Sequence, residues 1–144
     1  MMSWLTRLAD AARHAARKKR VEPDQATGRR GEDLAHRYLE HHGFTVVARN
    51  YRPPSGGGEI DLIAWQENTL VFVEVKSRTS DECGAPERNV DEQKRVSLIR
   101  AGRDYARRAG VPWERVRFDL VSIIFTEPPR FVHSPDAFRA GRRI

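Results

Sequence analysis

Apolar residues recur along this chain in two rhythms, and the order in which the rhythms alternate predicts the elements. Between residues 2 and 20, Trp4, Leu5, Leu8, Ala11, Ala12 and Ala15 fall at helical spacing. The polar stretch Val21 to Thr27, with Pro23 inside it, reads as a linker. A second helix is expected from about Arg30 to His42, with Leu34, Ala35, Tyr38 and Leu39 as its apolar stripe and Gly43 as its stop. Phe44 to Ala48 reads as a strand, and Arg52-Pro53-Pro54-Ser55-Gly56-Gly57-Gly58 as a substrate-facing loop. Two further β-branched runs, 59 to 65 and 70 to 78, are joined by a turn at Gln66 to Thr69, which predicts an antiparallel hairpin. A helix from about Asp91 to Ala109 follows, capped by Asn89 or Asp91 and closed by Gly110 with Pro112 beyond. Val116 to Phe125 returns to the strand rhythm. After Pro128-Pro129 and Phe131-Val132, Ser134-Pro135-Asp136 has the form of an N-cap with proline at the first helical position, so a short helix is expected there.

The order α-β-β-β-α-β predicts an α/β domain with a mixed central sheet flanked by helices. The expected division is a basic N-terminal extension at 1–28, one domain at 29–127, and a basic tail at 128–144. Charge supports that division. Residues 1–28 hold six Lys and Arg against three acids, and 128–144 hold four against one, leaving sixteen of each sign in 29–127. The net charge of +6 therefore resides in the ends, and such ends attract polyanions through phosphate contacts. No apolar run approaches the roughly 18 residues needed to cross a bilayer, so no integral membrane association is expected. The single cysteine, Cys83, and the lack of zinc-type spacing among the five histidines suit a reducing cytoplasm.

Chemistry concentrates in the hairpin. Glu59 and Asp61 interrupt one apolar run, and Glu74 and Lys76 lie in the other. Alternation puts Glu59, Asp61 and Ile63 on one face of their strand, and Leu70, Phe72, Glu74 and Lys76 on one face of the next. If those faces coincide, Asp61, Glu74 and Lys76 converge. Carboxylates packed together repel and lose solvation unless a cation joins them. Oxygen donors of this kind suit Mg²⁺ or Mn²⁺. An adjacent lysine would stabilise charge on a phosphate or help to activate a water, and the set as a whole describes phosphodiester hydrolysis. Lys94 falls on the apolar stripe of its helix, where it either snorkels to solvent or points at acidic partners. Asp119, with apolar residues on both sides, is expected to be a hydrogen-bonded structural acid.

Asp61, twelve intervening residues and then Glu74-x-Lys76 resemble the core of the PD-(D/E)xK nuclease superfamily. More closely, Gly31-Glu32-Asp33-Leu34-Ala35, Gly58 to Ala64, Phe72 to Arg78 and Arg117-Phe118-Asp119, in that order, resemble the YraN-like family of small bacterial proteins, which is similar to archaeal-type Holliday junction resolvases. The resemblance implies a restriction-endonuclease-like fold, with Asp61 and Glu74 as metal ligands and Lys76 as the catalytic lysine. It implies that Glu32 is the acid carried on the first helix. Gln93 and Lys94 are expected to support the site, and Arg49, Arg52 and Arg78 to contact nucleic-acid phosphates. In place of the superfamily's Pro-Asp stands Ile60-Asp61 preceded by Glu59, which leaves Glu59 as an extra ligand, a base or a neighbour. The expected function is a metal-dependent endonuclease on DNA, branched DNA included, and paired incision would call for a homodimer. The rival expectation is a non-catalytic nucleic-acid-binding or protein-interaction module that keeps the fold.

Overall fold

A computed structural model of the protein describes residues 23–79 and 92–139, with side chains from residue 28 onward. Helix α1 (Pro23–His41) leads to strands β1 (Thr45–Tyr51), β2 (Ile60–Gln66) and β3 (Thr69–Arg78). Helix α2 (Glu92–Ala109) and a single 3₁₀ turn (Trp113–Arg115) then lead to β4 (Val116–Ile124) and β5 (Arg130–Phe138). The amphipathic pattern at 2–20, Cys83 and the expected cap at Asn89 or Asp91 lie outside the described residues.

Both helices stop where the sequence places a glycine. At Gly43 (φ 86°) the Phe44 N–H reaches the Leu39 carbonyl at 3.0 Å, and at Gly110 (φ 69°) the Val111 N–H reaches the Ala106 carbonyl at 2.8 Å. The left-handed residue lets the chain fold back onto the last carbonyls, a turn that side chains with a Cβ resist.

The five strands lie in chain order, β1-β2-β3-β4-β5. All neighbours are antiparallel except β3 and β4, which run parallel because α2 carries the chain back across the sheet. The sheet is therefore mixed and covered on both faces. On one face Ile63, Leu70, Phe72, Phe118 and Leu120 pack with Leu98, Ala101 and Ala106 of α2. On the other, Leu62, Ala64, Val71, Val73, Val121 and Ile123 pack with Ala35 and Leu39 of α1. Strand alternation divides the hairpin residues between the two cores, which is why β2 and β3 read as nearly continuous apolar runs.

Three elements differ from the sequence reading. Helix α1 starts at Pro23, inside the stretch expected to be a linker; proline suits a first helical turn, where its missing N–H is no loss. Strand β1 continues past Ala48 to Tyr51, carrying Arg49 and Asn50 into the sheet. No short helix begins at Ser134; those residues belong to β5. The Ser-Pro-Asp signature is overridden by Asp119, which is fully buried on β4 and accepts the Asp136 N–H at 2.9 Å. Asp136 adopts φ 53° there, and the β4–β5 register shifts between Phe118 and Leu120. Pro135 is accommodated because β5 is an edge strand.

Candidate functional site

The β2–β3 hairpin pairs Gln66 with Thr69 at its turn and Leu62 with Val73 at its far end. Continuing that register one step sets Asp61 beside Glu74. There the ladder gives way, and Asp61 Oδ2 takes the Val75 N–H at 2.8 Å. Glu74 is buried, with 3% of its side chain exposed, and is paired with the Lys94 ammonium from the first turns of α2. Lys94 thus points at the acids. Lys76 follows Glu74 on the same face of β3 and is partly buried.

Glu32 reaches the same place from the other side of the sheet edge. Its carboxylate accepts a hydrogen bond from Asn50 Nδ2 at 2.9 Å, and the same amide donates to Glu59 at 2.7 Å. Arg52 grips the other oxygen of Glu59 through Nε at 3.0 Å and a terminal nitrogen at 2.7 Å. Arg49, almost buried, binds Asp33 at 2.6 Å and lies 3.9 Å from Glu32. Arg49 and Arg52, expected as phosphate contacts, are therefore each engaged with carboxylates. Arg78 closes β3, its carbonyl accepting the Phe125 N–H at 2.8 Å. Glu59, Gln93 and Lys94 line one small pocket together with Gly58, Ser97 and Leu98.

The electrostatics of this set turn on Asp61, where the neighbouring charges that act most strongly are other acids. Burial pushes the Asp61 carboxyl well above its ordinary range, and the neighbouring charges of Glu74 and Glu32 push it further, against the Val75 hydrogen bond. Burial also raises Glu32, partly offset by the Asn50 hydrogen bond and the Arg49 charge. Asp61 and Glu74 lie within hydrogen-bonding reach and cannot both ionise cheaply without a cation between them. Among the described residues no group of three or more His, Cys, Asp or Glu side chains stands at metal-holding distance, so a cation here would rest on the Asp61–Glu74 pair. Two carboxylates with water completing the shell are a donor set that Mg²⁺ accepts.

Asn50 and Asp33 were not readable as site residues. Asn50 sits at φ 51° at the end of β1, and no periodicity marks such a position. The one available signal is its residue type, since asparagine tolerates the left-handed region better than most. Asp119 has the structural role its apolar neighbours implied. It takes Arg117 at 2.7 and 2.9 Å and lies 2.7 Å from His133 Nε2, tying β4 to β5.

Residues 31–123 match the model of a family described as uncharacterised protein family UPF0102. The chain belongs to this family. A UPF0102 protein of Solibacter usitatus is 52% identical over 126 residues, covering 88% of this chain and 96% of its own length. One from Koribacter versatilis is 42% identical over 111 residues, 74% and 77% of the two chains, and one from Rhodococcus jostii 44% over 117 residues, 78% and 96%. The YraN-like resemblance thus holds at family level. The UPF0102 match begins one residue before Glu32 and ends in β4, so it contains Glu59, Asp61, Glu74, Lys76 and Lys94 and excludes β5. Among the described residues no helix is long and apolar enough to cross a membrane.

Proposed function

We propose that this UPF0102 protein is a metal-dependent deoxyribonuclease of the PD-(D/E)xK type, hydrolysing phosphodiester bonds in DNA. The observation that carries the reading is Asp61 set against Glu74 at the open end of the hairpin, with Lys76 next on the same face. The fold reading follows from the same elements: an antiparallel β1–β2–β3 meander, a helical crossover and a parallel β4 are compatible with a restriction-endonuclease-like core.

Asp61 and Glu74 would hold Mg²⁺ or Mn²⁺, and the Val75 N–H orients the Asp61 carboxylate for that task. When bound, the metal supplies a Lewis acid for the phosphoryl oxygen and a water of lowered pKa. Lys76 places a positive charge where the phosphorane develops negative charge. Glu32, its pKa raised by burial, is a carboxyl suited to holding or accepting a proton, and Asn50 fixes its position. Branched DNA is the substrate that the resolvase resemblance favours, with a homodimer giving paired incisions, and the cytoplasm is the compartment where such DNA lies.

One observation favours a second reading, a non-catalytic nucleic-acid-binding or protein-interaction module. Glu74 already holds the Lys94 ammonium, which supplies within the chain the charge that a metal would bring. Cleavage of labelled four-way junction, flap, single-stranded and duplex DNA in Mg²⁺ or Mn²⁺ separates the two. The nuclease reading expects cutting that EDTA abolishes and that Lys76→Ala lowers by about 10²-fold or more. DNA binding with no cutting in either metal would transfer the assignment to the module.

A further inference from the structure

Beyond the carboxylates, α2 presents a second feature. Arg100, Arg103 and Arg107 are exposed and lie at three- and four-residue spacing along one side of the helix, where they line a pocket with Ser55, Asp104 and Trp113. Its volume, about 500 Å³, lies within the range of small-ligand clefts. Asp104 is the acid of this surface, and its oxygens are already occupied by the Tyr51 hydroxyl, by Arg107 at 3.1 Å and by Arg108 at 3.1 Å. Two arginines and a tyrosine hydroxyl therefore commit this carboxylate. Among the described residues neither Arg100 nor Arg103 is paired with an acid. Arg103 instead lies over the Trp113 indole, 4.4 Å from the ring centroid, and the indole in turn meets Phe118 of the core.

A flat guanidinium on an indole backed by the core is a stacking platform, and two cations without acid partners beside it are a phosphate seat. We propose that this pocket takes an unpaired nucleotide of a single DNA strand, its base stacked on the Arg103–Trp113 pair and its phosphate held by Arg100 and Arg103. The proposal rests on the DNA reading above and names the part of the substrate recognised away from the scissile bond.

Its position supports the role. The Ser55–Gly58 loop lies across α2 between this pocket and the one lined by Glu59 and Lys94. A Cβ on Gly58 would come within 2.8 Å of the Ser97 side chain and 3.1 Å of its carbonyl carbon, and one on Gly57 would stand 3.8 Å from Arg100. The two pockets thus share one helix side with a thin strip of glycine backbone between them. Lys94 and Arg103 are about 13 Å apart along the axis at ~1.5 Å per residue. That is roughly four stacked nucleotides at ~3.4 Å each.

The test is binding of fluorescein-labelled dT20, of a 20-mer abasic strand and of a blunt duplex to the full chain in EDTA, read by anisotropy across a salt series. Wild type should prefer dT20 over the abasic strand. Arg100→Ala/Arg103→Ala should bind dT20 about 10- to 100-fold more weakly and lower the log–log salt slope by about 0.7, the share of the one phosphate the two arginines hold. Trp113→Leu should erase the preference for bases, and Trp113→Phe should keep part of it, so a Trp113→Leu variant that failed to fold would leave the Phe and Arg variants to decide. No binding by wild type, no base preference, or unchanged affinity and slope in the folded double-arginine variant would each overturn the pocket. The nuclease reading fails separately. Cutting in Mg²⁺ with the arginine variants unaffected sinks the pocket alone, and lost strand binding in a protein that never cuts sinks the nuclease alone.

Discussion

Asp61 shows what burying a carboxylate beside two others does to a fold. Its raised pKa means that the folded protein binds the proton more tightly than the unfolded chain does, so stability falls as pH rises from the ordinary value of 3.8 toward the raised one. Asp61→Asn keeps an oxygen acceptor for the Val75 N–H and removes the repulsion from Glu74 and Glu32. It should therefore stabilise the protein by about 1 kcal/mol at pH 7, a gain that vanishes below pH ~3.8, where both states of the wild type are protonated. Urea melts of the two proteins between pH 3 and pH 8 would show it; a destabilised Asn variant at pH 7 would contradict the acid-cluster account. The same residues show what the sequence disclosed. Alternation within two short apolar runs was enough to set Asp61 against Glu74, and helical spacing turned Lys94 toward them. Asn50 and Asp33 escaped because their parts are set by tertiary approach: α1 meets the end of β1 there, and no local rhythm encodes that meeting.

At the scale of elements, α1, α2 and β1 to β4 were legible from their periods, and the helix ends from their glycines, while the first turns of α1 and the end of β1 were not. β5 was not, since Ser134-Pro135-Asp136 is locally a good helix start. What outweighs it is Asp119, whose charge must be satisfied inside the sheet and is satisfied by β5. Burial alone would raise the Asp119 pKa, but the hydrogen bonds from His133, Arg117 and the Asp136 N–H outweigh burial and hold it below the ordinary value. A depressed carboxylate contributes stability that is present above its unfolded pKa, 3.8, and lost as pH falls through the folded one. Asp119→Asn should cost about 3 kcal/mol at pH 7 and flatten the acid limb of the stability curve, as seen in urea melts from pH 2 to pH 7. The contact of α1 with β3 is just as specific. A Cβ at Gly31 would fall 1.9 Å from Ser77 Oγ and 3.3 Å from its Cβ. Gly31→Ala should therefore force the Ser77 hydroxyl into another rotamer and press on the helix that carries Glu32, destabilising by about 1 kcal/mol, with any activity falling further than the stability loss explains.

For the whole molecule, the Asp61–Glu74 pair gives a readout that needs no substrate. Mg²⁺ or Mn²⁺ should raise the melting temperature of the wild type as it satisfies Asp61 and Glu74, by an amount that grows with the logarithm of metal concentration above Kd. Neither metal should move Asp61→Asn or Glu74→Gln; equal shifts in all three proteins would place the metal elsewhere. The topology also sets an order of events in time. Asp61 and Glu74 belong to one tight hairpin whose strands meet through a two-residue turn, and such closures take microseconds. Lys94 reaches Glu74 only when α2 has packed against the sheet, a contact of longer sequence separation that closes more slowly. In the folding chain the acids therefore come together before their partner arrives. For that interval Lys76, two residues along the same strand face, is the cation the hairpin itself offers the pair.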